Sequence, residues 1–141
     1  IELSFNDVVS GQPVSVQDLR GKVVVLHFWS TTCGPCLAEF SSLKSIYTRK
    51  KDKGVEFIGV NLDHPSRGAD AVKKCIDDHK ITWAQYYQGN GWESQFSQSW
   101  GVSAIPTLFV VDREGNLYST EARQHLELIL IKALSEPVRN E

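Results

Sequence analysis

The sequence predicts one α/β domain built on a partly parallel central sheet that helices cover on both faces. Three observations predict it. The run from Val23 to Trp29 is nearly continuous in its apolarity, as a strand buried on both faces reads. Apolar runs of this kind alternate along the chain with segments of helical period. Near the end, two strand runs flank a short loop containing glycine, and one more helical segment follows. With 141 residues, 41% of them hydrophobic, the chain has the size and apolar content of one core, so residues 1–141 are expected to form a single domain.

Each element follows from a local pattern. Val23, Val24, Val25, Leu26, His27, Phe28 and Trp29 make the central strand, and the polar Ser30, Thr31 and Thr32 interrupt it. Leu37, Phe40, Leu43, Ile46 and Tyr47 then recur at spacings of three and four, an amphipathic helix. Its basic tail, Arg49, Lys50, Lys51 and Lys53, suits the negative end of a helix dipole, and Gly54 closes it. A second buried strand is expected over 55–62. Asp63, Pro65 and Ser66 form a breaker and cap cluster, after which Ala69, Val72, Cys75, Ile76 and His79 give a shorter helix. Residues 81–87 read as another strand, Gly89-Asn90-Gly91 as a turn, and 92–100 as one or two helical turns before Gly101. Strands over 107–112 and 117–120 bracket Asp112-Arg113-Glu114-Gly115-Asn116 as a hairpin, and 122–134 carries Leu126, Ile129, Leu130, Ala133 and Leu134 on one helical face. No linker, internal repeat or low-complexity segment divides the chain.

Composition narrows the function classes. A formal net charge of −2 gives no basic footprint for nucleic acid or an anionic membrane, so the expected partners are proteins or small molecules. No apolar run approaches the roughly 18 residues of a spanning helix, and Ile1-Glu2-Leu3-Ser4 has neither the basic start nor the apolar stretch of a signal peptide. The chain also contains no methionine, so it is expected to be a mature or excised piece, with any signal or membrane anchor upstream. Three cysteines and four histidines are too few and too scattered for a disulfide-stapled miniature fold.

The informative cysteines are Cys33 and Cys36, separated by two residues at the strand-to-helix junction. That spacing places Cys33 at the exposed helix start and Cys36 about one turn inside. Free amide hydrogens and the helix dipole stabilise a Cys33 thiolate, which can attack a disulfide, and Cys36 resolves the mixed disulfide. Pro35 suits the first turn, where the amide hydrogen it lacks has no helical partner. Half of a zinc site has the same spacing, but the second ligand pair would have to be Cys75 with His79, and the apolar strand-helix context favours redox chemistry. No metal and no cofactor beyond the Cys33–Cys36 pair itself is expected.

At these residues the chain resembles a known family. Phe28-Trp29-Ser30-Thr31-Thr32-Cys33-Gly34-Pro35-Cys36, together with Ile105-Pro106-Thr107, is similar to the thioredoxin superfamily. More narrowly, Asp18-Leu19-Arg20-Gly21-Lys22, Glu39, and the stretch from Gly101 through Pro106 to Asp112 resemble the TlpA and ResA-like branch of bacterial envelope thiol-disulfide oxidoreductases. The likeness runs from about Gly11 to the last helix. It implies a thioredoxin-like fold, a mixed central sheet flanked by helices, with an N-terminal β extension and a central αβ insertion. It also implies a cis bond before Pro106, with that loop against the cysteines and the backbone of Ile105 presented to an extended substrate. Trp29 matches the family tryptophan beneath the motif, so Trp29, Gly34, Pro35, Ile105 and Pro106 are the expected substrate-binding residues. The implied partners are protein thiols and disulfides and an upstream dithiol electron donor, with the periplasm or cell envelope as location, cytochrome c biogenesis among the processes served, and a monomer as the working form. Gly34-Pro35 is the intervening pair of reducing thioredoxins, which points to a reductant.

Two further residues join the expected catalytic set. Glu39, three residues beyond Cys36, lies on nearly the same helix face, where the branch uses a glutamate in proton transfer; a first-turn acid favoured by the dipole is the alternative. His27, six residues before Cys33, stands where thioredoxins carry a buried aspartate, and it reads either as the base for Cys36 or as a hydrogen-bonded core group. Thr32 departs from the tryptophan many relatives place before the first cysteine. Trp83, Trp92 and Trp100 are expected in packed positions, Cys75 as a small buried hydrophobe, and His64, His79 and His125 at the surface.

Competing chemistries lack their residues. A peroxiredoxin-type peroxidase needs a proline where Leu26 stands, and a copper chaperone of related fold needs wider cysteine spacing. The alternative from another class is a redox-silent binding module of a larger protein, which an insulin-reduction assay separates from an oxidoreductase.

Overall fold

Ser4–Asn6 (β1) and Pro13–Ser15 (β2) pair antiparallel as a separate ribbon ahead of the main sheet, the N-terminal β extension. The computed structural model describes residues 1–138; residues 139–141, the end of the expected domain, lie outside the described residues. The main sheet holds Val23–Trp29 (β3), Val55–Asn61 (β4), Ala84–Tyr87 (β5), Thr107–Val111 (β6) and Leu117–Ser119 (β7) in the order β5-β4-β3-β6-β7. The pairs β3/β4 and β4/β5 are parallel, whereas β3/β6 and β6/β7 are antiparallel, which makes the sheet mixed.

Helices Gly34–Lys50 (α1) and Gly68–Asp78 (α2) are the crossovers that the two parallel pairs require, and the short Gln95–Gln98 (α3) and the terminal Leu126–Ser135 (α4) complete the set. Gly54 ends a short 3₁₀ extension of α1 in the left-handed region at φ 94°, the backbone state that favours glycine.

β3 is apolar at nearly every position because both of its faces are covered. Val23, Val25 and Trp29 join Phe40 and Leu43 of α1, Val72 and Ile76 of α2 and Leu130 of α4. Val24, Leu26 and Phe28 join Phe96 of α3, Val102, and Leu3 and Val16 of the N-terminal segment. Three helices thus crowd one face, and the N-terminal segment with α3 covers the other.

Several elements differ in detail from the expectation. Residues 81–83 are not strand: Ile81 and Trp83 are buried loop side chains, and pairing with β4 begins only at Ala84. Their apolarity reports burial rather than a strand. The last helix starts at Leu126, not 122, because the Ala122 N–H still donates to Leu108 O at 3.2 Å. Trp92 is 42% exposed on the loop after Gly91, against the packed position expected. His79 is half-buried rather than at the surface, with its ring centroid 5.3 Å from that of Phe40, and Cys75 is only half-buried.

Candidate active site

The antiparallel pairing of β6 with β3 brings the site together. Phe28 is in register with Thr107, so the start of β6, with Ile105 and Pro106 before it, lies at the end of β3 from which Ser30–Cys33 emerge. The Ile105–Pro106 bond is cis.

Cys33 is the N-cap of α1, in extended backbone at φ −94° and ψ 99°, and its Sγ accepts the Cys36 N–H at 3.2 Å. Gly34 and Pro35 fill the first two helical positions, where a missing amide hydrogen leaves no bond unmade. Cys33 and Cys36 are joined as a disulfide with Cα atoms 5.2 Å apart. Cys36 is fully buried, Cys33 is half-buried, and Gly34 and Pro35 are exposed. The two sulfurs therefore occupy unlike positions: one at the rim, where the helix start stabilises negative charge, and one inside.

The loop before Cys33 is tied down by Asp63, a carboxylate whose sequence context marks only a breaker and cap cluster with Pro65 and Ser66. Asp63, 2% exposed at the end of β4, accepts the Thr31 N–H at Oδ1 and the Thr31 hydroxyl at Oδ2, both at 2.6 Å. Asn61 Nδ2 donates to Asp63 Oδ1 at 3.1 Å, and the Cys33 N–H donates to Ser30 O at 3.2 Å. The signal available was a lone acid directly after an apolar strand, with no hint of its partner.

Glu39 of α1 and His27 of β3 approach each other where the helix crosses the sheet. Glu39, on α1, turns Oε1 toward Arg123, whose Nε donates to it, and Oε2 inward, 3.9 Å from His27 Nε2. His27 is fully buried and neither ring nitrogen has a hydrogen-bond partner; its ring lies edge-on to Phe40 at 5.4 Å. Burial lowers its pKa to about 3, so the imidazole is neutral at any pH near 7 and a weak proton acceptor.

Trp29 is fully buried in the cluster that holds Cys36 and Phe40, and its indole N–H donates to Gln85 Oε1 at 2.9 Å. Nothing in the sequence around Gln85 marks this contact; the visible clue is Gly59, a glycine inside an apolar strand. Beside Pro106 a shallow groove of about 420 Å³ is lined by Thr107, Arg123 and His125 among others.

Cys75 stands apart from the site. Its Sγ is 3.7 Å from His79 Nδ1, and burial, then the charges of Asp63 and Asp78, push its thiol pKa up. Among the described residues, no three His, Cys, Asp or Glu side chains stand close enough together to hold a metal ion. Likewise no helix is long and apolar enough to cross a membrane.

Comparison with known proteins adds to this geometry. A family model described as Redoxin matches residues 3–127. The chain is 30% identical to thiol-disulfide oxidoreductase ResA of Oceanobacillus iheyensis over 113 residues, 80% of this chain and 56% of that protein. It is 30% identical to the protein of the same name from Bacillus subtilis over 129 residues, 87% of this chain and 69% of that one. The chain thus spans between about half and about two thirds of the length of these relatives. Among solved structures, the thioredoxin domain of a thiol-disulfide oxidoreductase from Bacteroides vulgatus superposes with a TM-score of 0.70 at 29% identity, covering 83% of this chain and 81% of that one. A thioredoxin-family thiol:disulfide interchange protein from Chlorobium tepidum has a TM-score of 0.76 at 23% identity over 95% and 94% of the two chains, a likeness of fold.

Proposed function

This chain belongs to the Redoxin family and to its ResA-like branch, and from that premise we propose that it is a thiol-disulfide oxidoreductase that reduces disulfides of proteins in the bacterial cell envelope. The observation that carries the proposal is the Cys33–Cys36 disulfide at the first turn of α1, one sulfur at the rim and the other buried.

In the reduced protein the Cys33 thiolate attacks one sulfur of a substrate disulfide, forming a Cys33–substrate bond and releasing the other substrate sulfur as a thiolate. Cys36 loses its proton and attacks Cys33 Sγ, which forms the intramolecular disulfide and frees the second substrate thiolate. Two electrons have passed to the substrate, and an upstream dithiol protein returns the pair to the thiol state. Glu39 is the proposed acceptor of the Cys36 proton, since its inward oxygen is buried and unpaired while Arg123 holds the other. Its neighbour His27 serves as a neutral polar group rather than as the base. Ile105 and Pro106 present backbone to the substrate, and Trp29, Gly34 and Pro35 shape the contact. Apocytochrome maturation is one substrate class in keeping with the branch. Each chain carries its own pair, so the step needs no second copy and no added cofactor.

Insulin reduction with a dithiol donor tests the reading. Turnover that Cys33→Ser abolishes supports it, and a Cys36→Ala variant that traps partners as mixed disulfides identifies the substrates. A wild-type chain without turnover would mark a redox-silent binding module instead.

A further inference from the structure

On the α1 face of the sheet, register sets His27, Gly59 and Gln85 side by side across β3, β4 and β5. Gly59 contributes no side chain, and the Gln85 amide fills the space it leaves: a Cβ at Gly59 would overlap Oε1, Cδ and Nε2 of Gln85. The amide is fully buried, and Oε1 accepts the Trp29 indole N–H at 2.9 Å. Its Nε2 has no hydrogen-bond partner. One hydrogen bond returns less than an unpaired buried donor costs, so fold stability does not account for an amide here. The position of Trp29 does: it belongs to the buried cluster that holds Cys36 and against which Cys33 packs. The backbone of Gln85 also reaches the N-terminal segment: its N–H donates to Asp7 Oδ1 at 2.8 Å, and its carbonyl accepts the Val8 N–H at 3.0 Å.

We propose that Gln85 is a positioning residue of the dithiol site, holding Trp29 in place beneath Cys33 and Cys36 and tying the loop between β1 and β2 to that support. The proposal rests on the dithiol reading given above, because Trp29 matters to exchange only if the cysteines react. Gly59 is the other half of the device. A methyl there and the amide cannot share the space, so Gly59→Ala drives Gln85 away from Trp29.

The test compares wild type, Gln85→Leu, Gly59→Ala, the double variant Gly59→Ala/Gln85→Ala and Asp7→Ala by three readouts. These are urea unfolding, hydrogen exchange of the Trp29 indole N–H assigned with Trp29→Phe, and the redox equilibrium constant against glutathione. Gln85→Leu, Gly59→Ala and the double variant are expected to lose at least tenfold of indole protection and to move the equilibrium constant at least threefold. Asp7→Ala is expected to move the constant in the same direction by a smaller factor. The double variant removes the overlap, so it keeps the test open if a single variant fails to fold. An indole that stays protected, or an equilibrium constant within threefold of wild type in the folded Gln85 variants, overturns the proposal. A wild-type protein that does not equilibrate with glutathione at all overturns the dithiol reading instead.

Discussion

Cys33 and Cys75 belong to consecutive strand-helix units, β3–α1 and β4–α2, and sit at opposite ends of their helices. Cys33 caps the start of α1, where free N–H groups and the positive end of the dipole favour a thiolate, and it is already joined to Cys36. Cys75 lies in the last turn of α2, half-buried, with Asp63 and Asp78 near enough to raise its pKa further. On the proposed function the same side chain attacks in one unit and stands idle in the next, and its surroundings set the difference: a helix start with free N–H groups for Cys33, burial and two nearby carboxylates for Cys75.

The largest expected effect separates the two sites outright. Cys33→Ser should lower insulin turnover by more than about 100-fold, since the attacking sulfur is gone, whereas Cys75→Ser should stay within about twofold of wild type. A Cys75→Ser variant as damaged as Cys33→Ser would break the comparison. Glu39→Gln keeps the shape of the side chain and removes its ability to take a proton, so turnover is expected to fall on the order of tenfold near neutral pH, where Cys36 is still a thiol, and less at high pH, where Cys36 ionises unaided. Stopped-flow oxidation of the reduced variant across pH checks this, and an unchanged profile would leave Glu39 as the ion-pair partner of Arg123; the first-turn alternative does not hold, since α1 starts at Gly34 and has no acid in its first turn.

His27, fully buried on β3, gives a stability prediction with a definite sign. Its folded pKa, about 3, lies below the ordinary 6.5, so between these values the unfolded chain binds the extra proton. Stability should therefore fall as pH drops through that window, by at most about 1.4 kcal/mol per pH unit. Urea unfolding of wild type and His27→Asn from pH 7 to pH 4 measures it, the variant showing the flatter curve. The smallest effect links the two regions, because Asp63 both holds Thr31 and raises Cys75. Asp63→Asn should speed alkylation of Cys75 at pH 8 by about two- to threefold, as loss of one nearby charge lowers a pKa modestly.

What the sequence made legible was local. The apolar run of β3, the period of α1, the glycine at 54 and the first-turn proline each reflect forces within a few residues, and they locate Cys33 and Cys36 correctly. The rest depended on chain distance. Asp63 meets Thr31 across 32 positions and Gln85 meets Trp29 across 56, contacts made only once β3, β4 and β5 align. The buried run at 81–83 looked like strand because loop side chains that enter a core carry the same apolar signature. His27 and Glu39 were each legible as candidates, but their approach to 3.9 Å follows from α1 crossing over β3.

The most direct measurement is the pH dependence of iodoacetamide alkylation of the fully reduced protein, resolved at Cys33 and Cys75 by mass spectrometry. Cys33 is expected to show a midpoint below the ordinary thiol value near 8.5. Cys75 is expected to be the slower of the two at every pH, with a midpoint above that value. Coincident midpoints, or a Cys75 that reacts first, would contradict the account.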